Sequence, residues 1–170
     1  MIETECGTDI TMMVLGGRRP AAEWMRSVDF HGNLWAVDSG VDPCFDAGIL
    51  PDKLVGDGDS ASPEAWKWAV DNGVDVSKLE KDKDLTDFQL ALDLLSQKDK
   101  ACEKALFVTG GFAGRFDHLW STVVSFLNCC GNIRPLGMAD EREGMIFLHG
   151  PEGLKISFSR TPGAISLISF

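Results

Sequence analysis

Short apolar runs alternate along most of the chain with segments whose apolar positions repeat at helical spacing. The runs have the length and residue content of buried strands. We predict strands over Ile10–Leu15, Leu34–Val37, Lys53–Val55, Val74–Leu79, Ala105–Thr109 and Ile133–Leu136. Strands that alternate with helices form a mainly parallel sheet with helices on both faces, so the pattern predicts a Rossmann-like α/β fold.

The segments between these strands carry helix boundary residues. We predict helices over Pro20–Val28, Pro63–Asn72, Asp84–Gln97 and Asp117–Leu127. Ser62 is the expected N-cap of the second helix, with Pro63 at its first position. Asp84, with Asp87 three residues later, is the expected start of the third.

The pattern changes near residue 137, where short strands follow one another without helices between them. We predict antiparallel strands over Met145–Leu148, Leu154–Phe158 and Ala164–Ile168. The chain therefore divides into an α/β domain over 1–138 and a partial β domain over 139–170. Three strands leave an unpaired edge, so we expect another subunit to complete this unit, or the chain to stop before the domain is finished.

Composition places the chain among globular proteins. Of 170 residues, 44% are hydrophobic and 25% are charged, which is close to the average for soluble domains. No apolar run reaches the roughly 18 residues of a membrane span, and the acidic start differs from a secretory signal, so we expect a cytoplasmic protein without a membrane partner. Five cysteines without a CxxC pair predict reduced thiols rather than a zinc site. Buried packing is the favoured interpretation of Cys129 and Cys130, and a redox pair is the alternative.

Acidic residues are concentrated in the middle of the sequence. From Asp38 to Asp87 there are eleven Asp and two Glu against five Lys, which accounts for eight of the ten net negative charges. Such a segment has no basic surface for a nucleic-acid backbone, so we expect no nucleic-acid partner. Two interpretations of the acidic segment remain, a bound cation and a solvated acidic face.

Glycine and polar residues follow five successive predicted strands, at the edge of an open α/β sheet where ligands bind. Asp57 and Asp59 come directly after one of them. Two carboxylates about 4 Å apart repel by about 4 kcal/mol at an effective dielectric near 20, so a cation such as Mg²⁺ would keep both ionised. Asp-Gly turns are the structural alternative. Asp38 and Asp87, at two other strand ends, favour the metal.

Gly110-Gly-Phe-Ala-Gly-Arg115 precedes the last predicted helix. Glycines let an anion approach the backbone, and Arg115 offers a fork for phosphate. A tight turn with a surface arginine is equally compatible with this segment. His118 is a candidate phosphate ligand or acid/base, or a packed helix residue. The charged residues before Asp87 are either part of the site or a solvated run.

Four motifs in this order resemble the thiamine pyrophosphokinase (thiamine diphosphokinase) family. They are Ala36-Val-Asp-Ser-Gly40, Gly56-Asp-Gly-Asp-Ser60, Lys83-Asp-Leu-Thr-Asp87 and Gly110-Gly-Phe-Ala-Gly-Arg-Phe-Asp-His118. The resemblance extends from Gly16 to Phe170. It implies a transferase that uses Mg²⁺ to move pyrophosphate from ATP to the hydroxyl of thiamine, giving thiamine diphosphate and AMP. It also implies a homodimer and a thiamine-binding β domain, of which this chain holds only the first part.

The same resemblance implies roles for individual residues. Asp57, Asp59 and Asp87 would hold the metal, and with Arg115 they would be the catalytic residues. Asp87 or Asp59 would accept the proton of the thiamine hydroxyl. The implied ATP-binding residues are Gly16, Gly17, Asp38, Ser60, Lys83, Asp84, Thr86, Thr109, Gly110, Gly111, Asp117 and His118.

Two alternative functions fit parts of the sequence. Asp57-Gly-Asp59 is also the DxD pattern of a metal-dependent glycosyltransferase that uses nucleotide sugars. A chain without the complete β domain could instead be a noncatalytic nucleotide-binding module.

Overall fold

A computed structural model describes residues 9–78, 85–98, 103–112, 115–129, 131–148, 150, 153, 155–158 and 161–169. Its strands are β1 Asp9–Val14, β2 Asn33–Val37, β3 Lys53–Gly56, β4 Asp75–Lys78, β5 Lys104–Thr109, β6 Ile133–Ala139 and β7 Gly144–Ile146. Its helices are α1 Ala22–Ser27, α2 Val41–Ala47, α3 Pro63–Asp71, α4 Asp87–Gln97 and α5 Phe116–Leu127, and a 3-10 turn covers Asp38–Gly40.

The strands form one sheet in the order β4-β3-β2-β1-β5-β6-β7. All neighbouring strands are parallel except β6 and β7, which are antiparallel. From β1 to β4 the chain adds strands on one side, and from β5 onward it adds them on the other. The direction of winding therefore reverses between β1 and β5, which is where open α/β sheets leave a crevice.

The two faces of the sheet carry separate cores. Met12 and Val14 of β1 pack with α1, α2 and α3 residues such as Met25 and Ala65. Met13 points to the opposite face, among residues of α4 and α5 such as Phe126. Alternate residues of a strand point to opposite faces, so the predicted α/β fold with helices on both faces is confirmed.

Cys44 lies in the core on the face of the sheet that carries α1, α2 and α3. It is a free, fully buried cysteine of α2. Burial raises the pKa of its thiol to about 12, so the side chain is neutral and acts as a small apolar residue.

Two helix starts differ from the predicted ones by two or more residues, and α5 begins one residue early, at Phe116 instead of Asp117. The third predicted helix begins at Asp87 instead of Asp84, because Thr86 and Gln89 form a capping box. The Gln89 N–H donates to Oγ1 of Thr86 at 3.3 Å, and the Thr86 N–H donates to Oε1 of Gln89 at 2.9 Å. Helix α1 begins at Ala22 instead of Pro20 because Ala21 is extended, with ψ 138°.

Helix α2, which follows the 3-10 turn after β2, was not predicted from the sequence. This helix has seven residues and contains Pro43, so it is too short to produce an apolar repeat. Gly48, in the left-handed conformation with φ 67°, ends it.

The C-terminal strands are confirmed only in part. β7 overlaps the first predicted antiparallel strand at Met145 and Ile146 only, and it extends the main sheet. Strands predicted over Leu154–Phe158 and Ala164–Ile168 are wrong for the described residues 155–158 and 164–168, which are not in strands. An apolar run forms a strand only where a sheet edge pairs with it, and here the run remains exposed, with Leu167 at 97%. The boundary predicted between 138 and 139 lies within β6, and the division into domains stays a prediction.

A membrane-crossing helix would need more length and more apolar surface than any helix in the described ranges has.

Candidate functional site

Three carboxylates meet where β2 and β3 end. One oxygen each from Asp38, Asp57 and Asp59 lies within 4.8 Å of the other two. Because β2 and β3 are parallel neighbours, the residues that follow them emerge at the same edge. The Asp59 N–H donates to Oδ1 of Asp57 at 3.0 Å, and the Ser60 hydroxyl donates to Oδ2 of Asp38. The loop after β3 is thus folded back onto the end of β2.

The backbone at Asp38 is unusual and explains this close approach. Asp38 has φ 51°, a conformation that few residues other than glycine adopt. Gly56 lies directly against it, since an added Cβ would be 3.1 Å from the Asp38 Cα. Gly56 itself has φ 146°, so a larger residue would strain the backbone and push the two loops apart.

The three-carboxylate group has the chemistry of a cation site. Oδ1 of Asp38 is buried without a hydrogen-bond partner among the described residues. A buried carboxylate oxygen beside two further carboxylates is stabilised by a cation, and oxygen ligands of this kind suit Mg²⁺. The residues present therefore fit the metal that the sequence analysis expects.

The membership of this group differs from the predicted ligand set. Asp38, expected to bind ATP, is part of it. Asp87, expected as a ligand, is half-buried at the first position of α4 and does not belong to the group. The metal role of Asp87 stays a prediction.

Main-chain hydrogen bonds join the loops after β1 and β5, at the point where the winding reverses. The N–H groups of Leu15 and Gly17 donate to the carbonyls of Thr109 and Gly110, both at 2.8 Å. Gly110 has φ 70°, and a Cβ on it would lie 2.2 Å from the Leu15 carbonyl oxygen. Only glycine fits between the two loops there.

Gly16 brings these loops next to the carboxylates. A Cβ on Gly16 would lie 2.0 Å from Oγ of Ser39, the residue after Asp38. The loop after β1 therefore lies between the carboxylate group and the loop after β5. The structure thus brings Gly16, Gly17, Thr109 and Gly110 to the same edge as the three carboxylates.

Arg115, the N-cap of α5, is paired with Asp117 in this structure. Its Nε donates to Oδ1 at 3.1 Å and its Nη2 to Oδ2 at 2.5 Å. These hydrogen bonds raise the pKa of Arg115 and lower that of Asp117. Both side chains are mostly exposed, at 74% and 59%, so the guanidinium is accessible at the start of α5. His118 is exposed beside them.

The remaining predicted residues are distributed around this edge. Gly111 is buried next to Gly110, and Ser60 and Thr86 are exposed. Lys83 and Asp84 lie outside the described residues, as does Cys130 of the adjacent cysteine pair. Cys129 is half-buried, and its Sγ donates to the Ser125 carbonyl oxygen.

A buried carboxylate that was not predicted as a site residue connects the elements beside the three-carboxylate group. Asp42, in α2, is only 2% exposed. Its Oδ1 accepts from the Ser62 N–H at 2.9 Å and from the Ser62 hydroxyl at 2.8 Å, and Arg19 pairs with its Oδ2. This network joins α2 to the start of α3, just after the loop that carries Asp57 and Asp59. No local sequence signal separates Asp42 from the surrounding acidic residues.

The comparisons with known proteins agree on one family. Residues 28–134 match the family model "Thiamin pyrophosphokinase, catalytic domain". No curated protein matches the sequence at a significant level.

Solved structures titled thiamine pyrophosphokinase are similar to this chain, in agreement with the family model. The chain is similar to thiamine pyrophosphokinase from Bacillus subtilis, with 25% identity and a TM-score of 0.65 over 80% of this chain and 62% of that one. The structure titled thiamin pyrophosphokinase from Geobacillus thermodenitrificans has 28% identity and a TM-score of 0.59, over 77% and 59% of the two chains. The yeast thiamin pyrophosphokinase, at 17% identity and a TM-score of 0.65 over 78% and 59%, shares the fold. The chain thus spans about three fifths of the length of these structures.

Proposed function

The chain belongs to the thiamin pyrophosphokinase family through its catalytic domain, and from this we propose that it is a thiamine diphosphokinase. The proposed reaction transfers pyrophosphate from ATP to the hydroxyl oxygen of thiamine and releases AMP. The protein would then act in thiamine diphosphate biosynthesis. We further propose that it is cytoplasmic and forms a homodimer. The family match favours this activity over transfer from a nucleotide sugar.

The observation that carries the proposal is the group formed by Asp38, Asp57 and Asp59. One oxygen from each lies within 4.8 Å of the other two at the carboxyl edge of the sheet. Beside them are the two glycine loops, which are the loops after β1 and β5 that main-chain hydrogen bonds join. A cation site next to loops that accept an anion suits a metal-bound polyphosphate.

Mg²⁺ bound by Asp38, Asp57 and Asp59 would supply positive charge to the oxygens of the transferred group. The glycines of the two loops let phosphate oxygens approach the backbone closely. Arg115 would exchange its pairing with Asp117 for a phosphate, since an exposed ion pair contributes little to stability. Its guanidinium would then orient the polyphosphate through two parallel hydrogen bonds.

The bond changes follow from the product. The thiamine hydroxyl oxygen attacks the β-phosphorus of ATP, and the bond from that phosphorus to the α–β bridging oxygen breaks. AMP leaves with the electron pair, and the hydroxyl proton passes to a carboxylate. We propose Asp59 or Asp87 as the acceptor. Positioning and charge stabilisation carry most of the catalysis in such transfers.

The test is a product assay with ATP, Mg²⁺ and thiamine on the wild type, Asp57→Asn and Asp71→Asn. Asp71, at the end of α3, pairs only with Lys67 among its described contacts, so its substitution is the matched control. We expect AMP from the wild type and the control, and a loss of about 100-fold or more in Asp57→Asn with unchanged circular dichroism.

Release of ADP, or no thiamine-dependent product, would contradict the proposed reaction. Full activity in Asp57→Asn would remove the carboxylate assignment. Light scattering on the wild-type preparation should give the mass of a dimer, and a monomer at micromolar concentration would contradict the homodimer.

A further inference from the structure

Arg18 joins three segments that are far apart in sequence. It follows the two glycines after β1, and its side chain reaches the turn between β6 and β7. Its Nε donates to Oδ2 of Asp140 at 2.7 Å, and its Nη2 lies 2.5 Å from Oε1 of Glu143. Its guanidinium thus spans two carboxylates of one turn.

That turn is itself held firmly. The Asp140 side chain is fully buried, and its Oδ1 accepts from the N–H groups of Arg142 and Glu143 at 2.8 and 3.1 Å. Glu141 adds a second connection to the same loop, since its Oε2 accepts from the Ala21 N–H at 3.1 Å. The turn therefore offers a fixed support rather than a mobile partner.

On its other side, Arg18 contacts the loop after β5. Its N–H donates to the Phe112 carbonyl at 2.7 Å, and its guanidinium carbon lies 5.6 Å from the centroid of the Phe112 ring. One residue earlier, the Gly17 N–H donates to the Gly110 carbonyl. The guanidinium and the backbone of Arg18 therefore connect the turn to both glycine loops.

We propose that Arg18 is a positioning residue, which fixes the two glycine loops against the β6–β7 turn and thereby raises the affinity for the ATP polyphosphate. Glycine-rich segments lose much conformational entropy when they become ordered. Supports that order them before the ligand arrives leave less of this cost to binding. The effect on ATP rests on the proposed function, whereas the positioning of the loops is tested without any ligand.

The first experiment measures amide hydrogen exchange at positions 17 and 18 in the wild type, Arg18→Met and Arg142→Met. Methionine keeps much of the apolar length of Arg18 and removes its charged hydrogen bonds. Arg142 lies on the same turn, and its side chain is 68% exposed and pairs with Glu141, so it matches the charge change. We expect exchange at both positions to rise about tenfold or more in Arg18→Met, with amides of α3 unchanged.

The second experiment measures ATP binding by calorimetry with Mg²⁺ present and thiamine absent. We expect affinity to fall about tenfold in Arg18→Met and to stay at the wild-type level in Arg142→Met. Arg18→Lys should recover part of the loss, because an ammonium group binds one carboxylate but lacks the fork that spans two. In the product assay on Arg18→Met, the KM for ATP should rise by a larger factor than kcat falls, whereas partial unfolding would lower kcat alone.

Each remaining outcome decides a separate point. Unchanged exchange at positions 17 and 18, or an equal rise throughout α3, would overturn the positioning role. Raised exchange with unchanged ATP affinity would overturn its consequence for binding. A wild type that binds no ATP would contradict the proposed function. The exchange experiment would still test whether Arg18 positions the two loops.

Discussion

The two sides of the candidate site are built in different ways. On the side of β2 and β3, carboxylate side chains converge, and oxygens of Asp38, Asp57 and Asp59 lie within 4.8 Å of one another. On the side of β1 and β5, main-chain hydrogen bonds of 2.7–2.8 Å join the loops. The first is a concentration of like charge, and the second is a close fit of backbone to backbone.

This difference predicts different sensitivities. Like charges at short range repel, so the carboxylate side is stabilised by adding a cation or removing a charge. The glycine side has its hydrogen bonds already made, so charge changes matter less there than the volume of one methyl group. A set of substitutions can therefore separate the two sides.

The largest effect is expected for Gly110→Ala. At φ 70° an alanine is strained, and its Cβ would lie 2.2 Å from the Leu15 carbonyl oxygen. The clash adds to the cost of the left-handed conformation, and we expect urea unfolding to show a loss of about 4 kcal/mol.

Gly73→Ala is the matched control. Gly73 has φ 79° and nothing within 4 Å of an added Cβ, so it pays only the conformational cost of about 1 kcal/mol. Equal losses in the two variants would mean that the close approach of the loops contributes nothing.

A smaller effect is expected for Mg²⁺ on thermal unfolding. Ligands that bind only the folded state stabilise it by about 2.7 kcal/mol at 100 times Kd. We expect Mg²⁺ to raise the melting temperature of the wild type and of Asp71→Asn, and to raise that of Asp57→Asn much less.

Without divalent cations, the melting temperature of Asp57→Asn should lie above that of the wild type. The reason is that the substitution removes one of three neighbouring negative charges. The same Mg²⁺ response in Asp57→Asn and the wild type would show that the three carboxylates hold no cation.

The fold was readable from the sequence where a periodic pattern was long enough. The spacing of Phe88, Leu92 and Leu95 placed α4 correctly, but its start depended on which side chain caps it, and Thr86 with Gln89 displaced Asp84. Helix α2 gave no signal because seven residues are too few for a repeat. The apolar runs near the C-terminus showed the period of a strand, but a period does not supply a pairing partner.

The site was readable where its chemistry follows a strand directly. Asp57 and Asp59 stand two positions apart after β3, so strand geometry brings them together. Asp38 joins them through a backbone conformation, φ 51°, that residue type alone does not predict. The pairing of Arg18 with Asp140 joins residues 122 positions apart, and nothing near either residue indicates it.

The smallest expected effect concerns the ion pair at the start of α5. The hydrogen bond from Arg115 lowers the pKa of the Asp117 carboxyl in the folded protein. The pair therefore contributes stability above the unfolded pKa, about 3.9, and loses it as the pH falls through the lower folded value. Arg115, whose pKa is raised, stays charged throughout this range.

Melting temperatures of the wild type and Asp117→Asn, compared from about pH 6 down to about pH 2, measure this contribution. We expect a small advantage of the wild type at pH 6 that disappears in acid and shrinks in high salt, since both side chains are mostly exposed. Parallel curves at all pH values would mean that the pair stabilises nothing. A small effect fits a guanidinium that can leave Asp117 for a phosphate at little cost, whereas a large one would argue against that exchange.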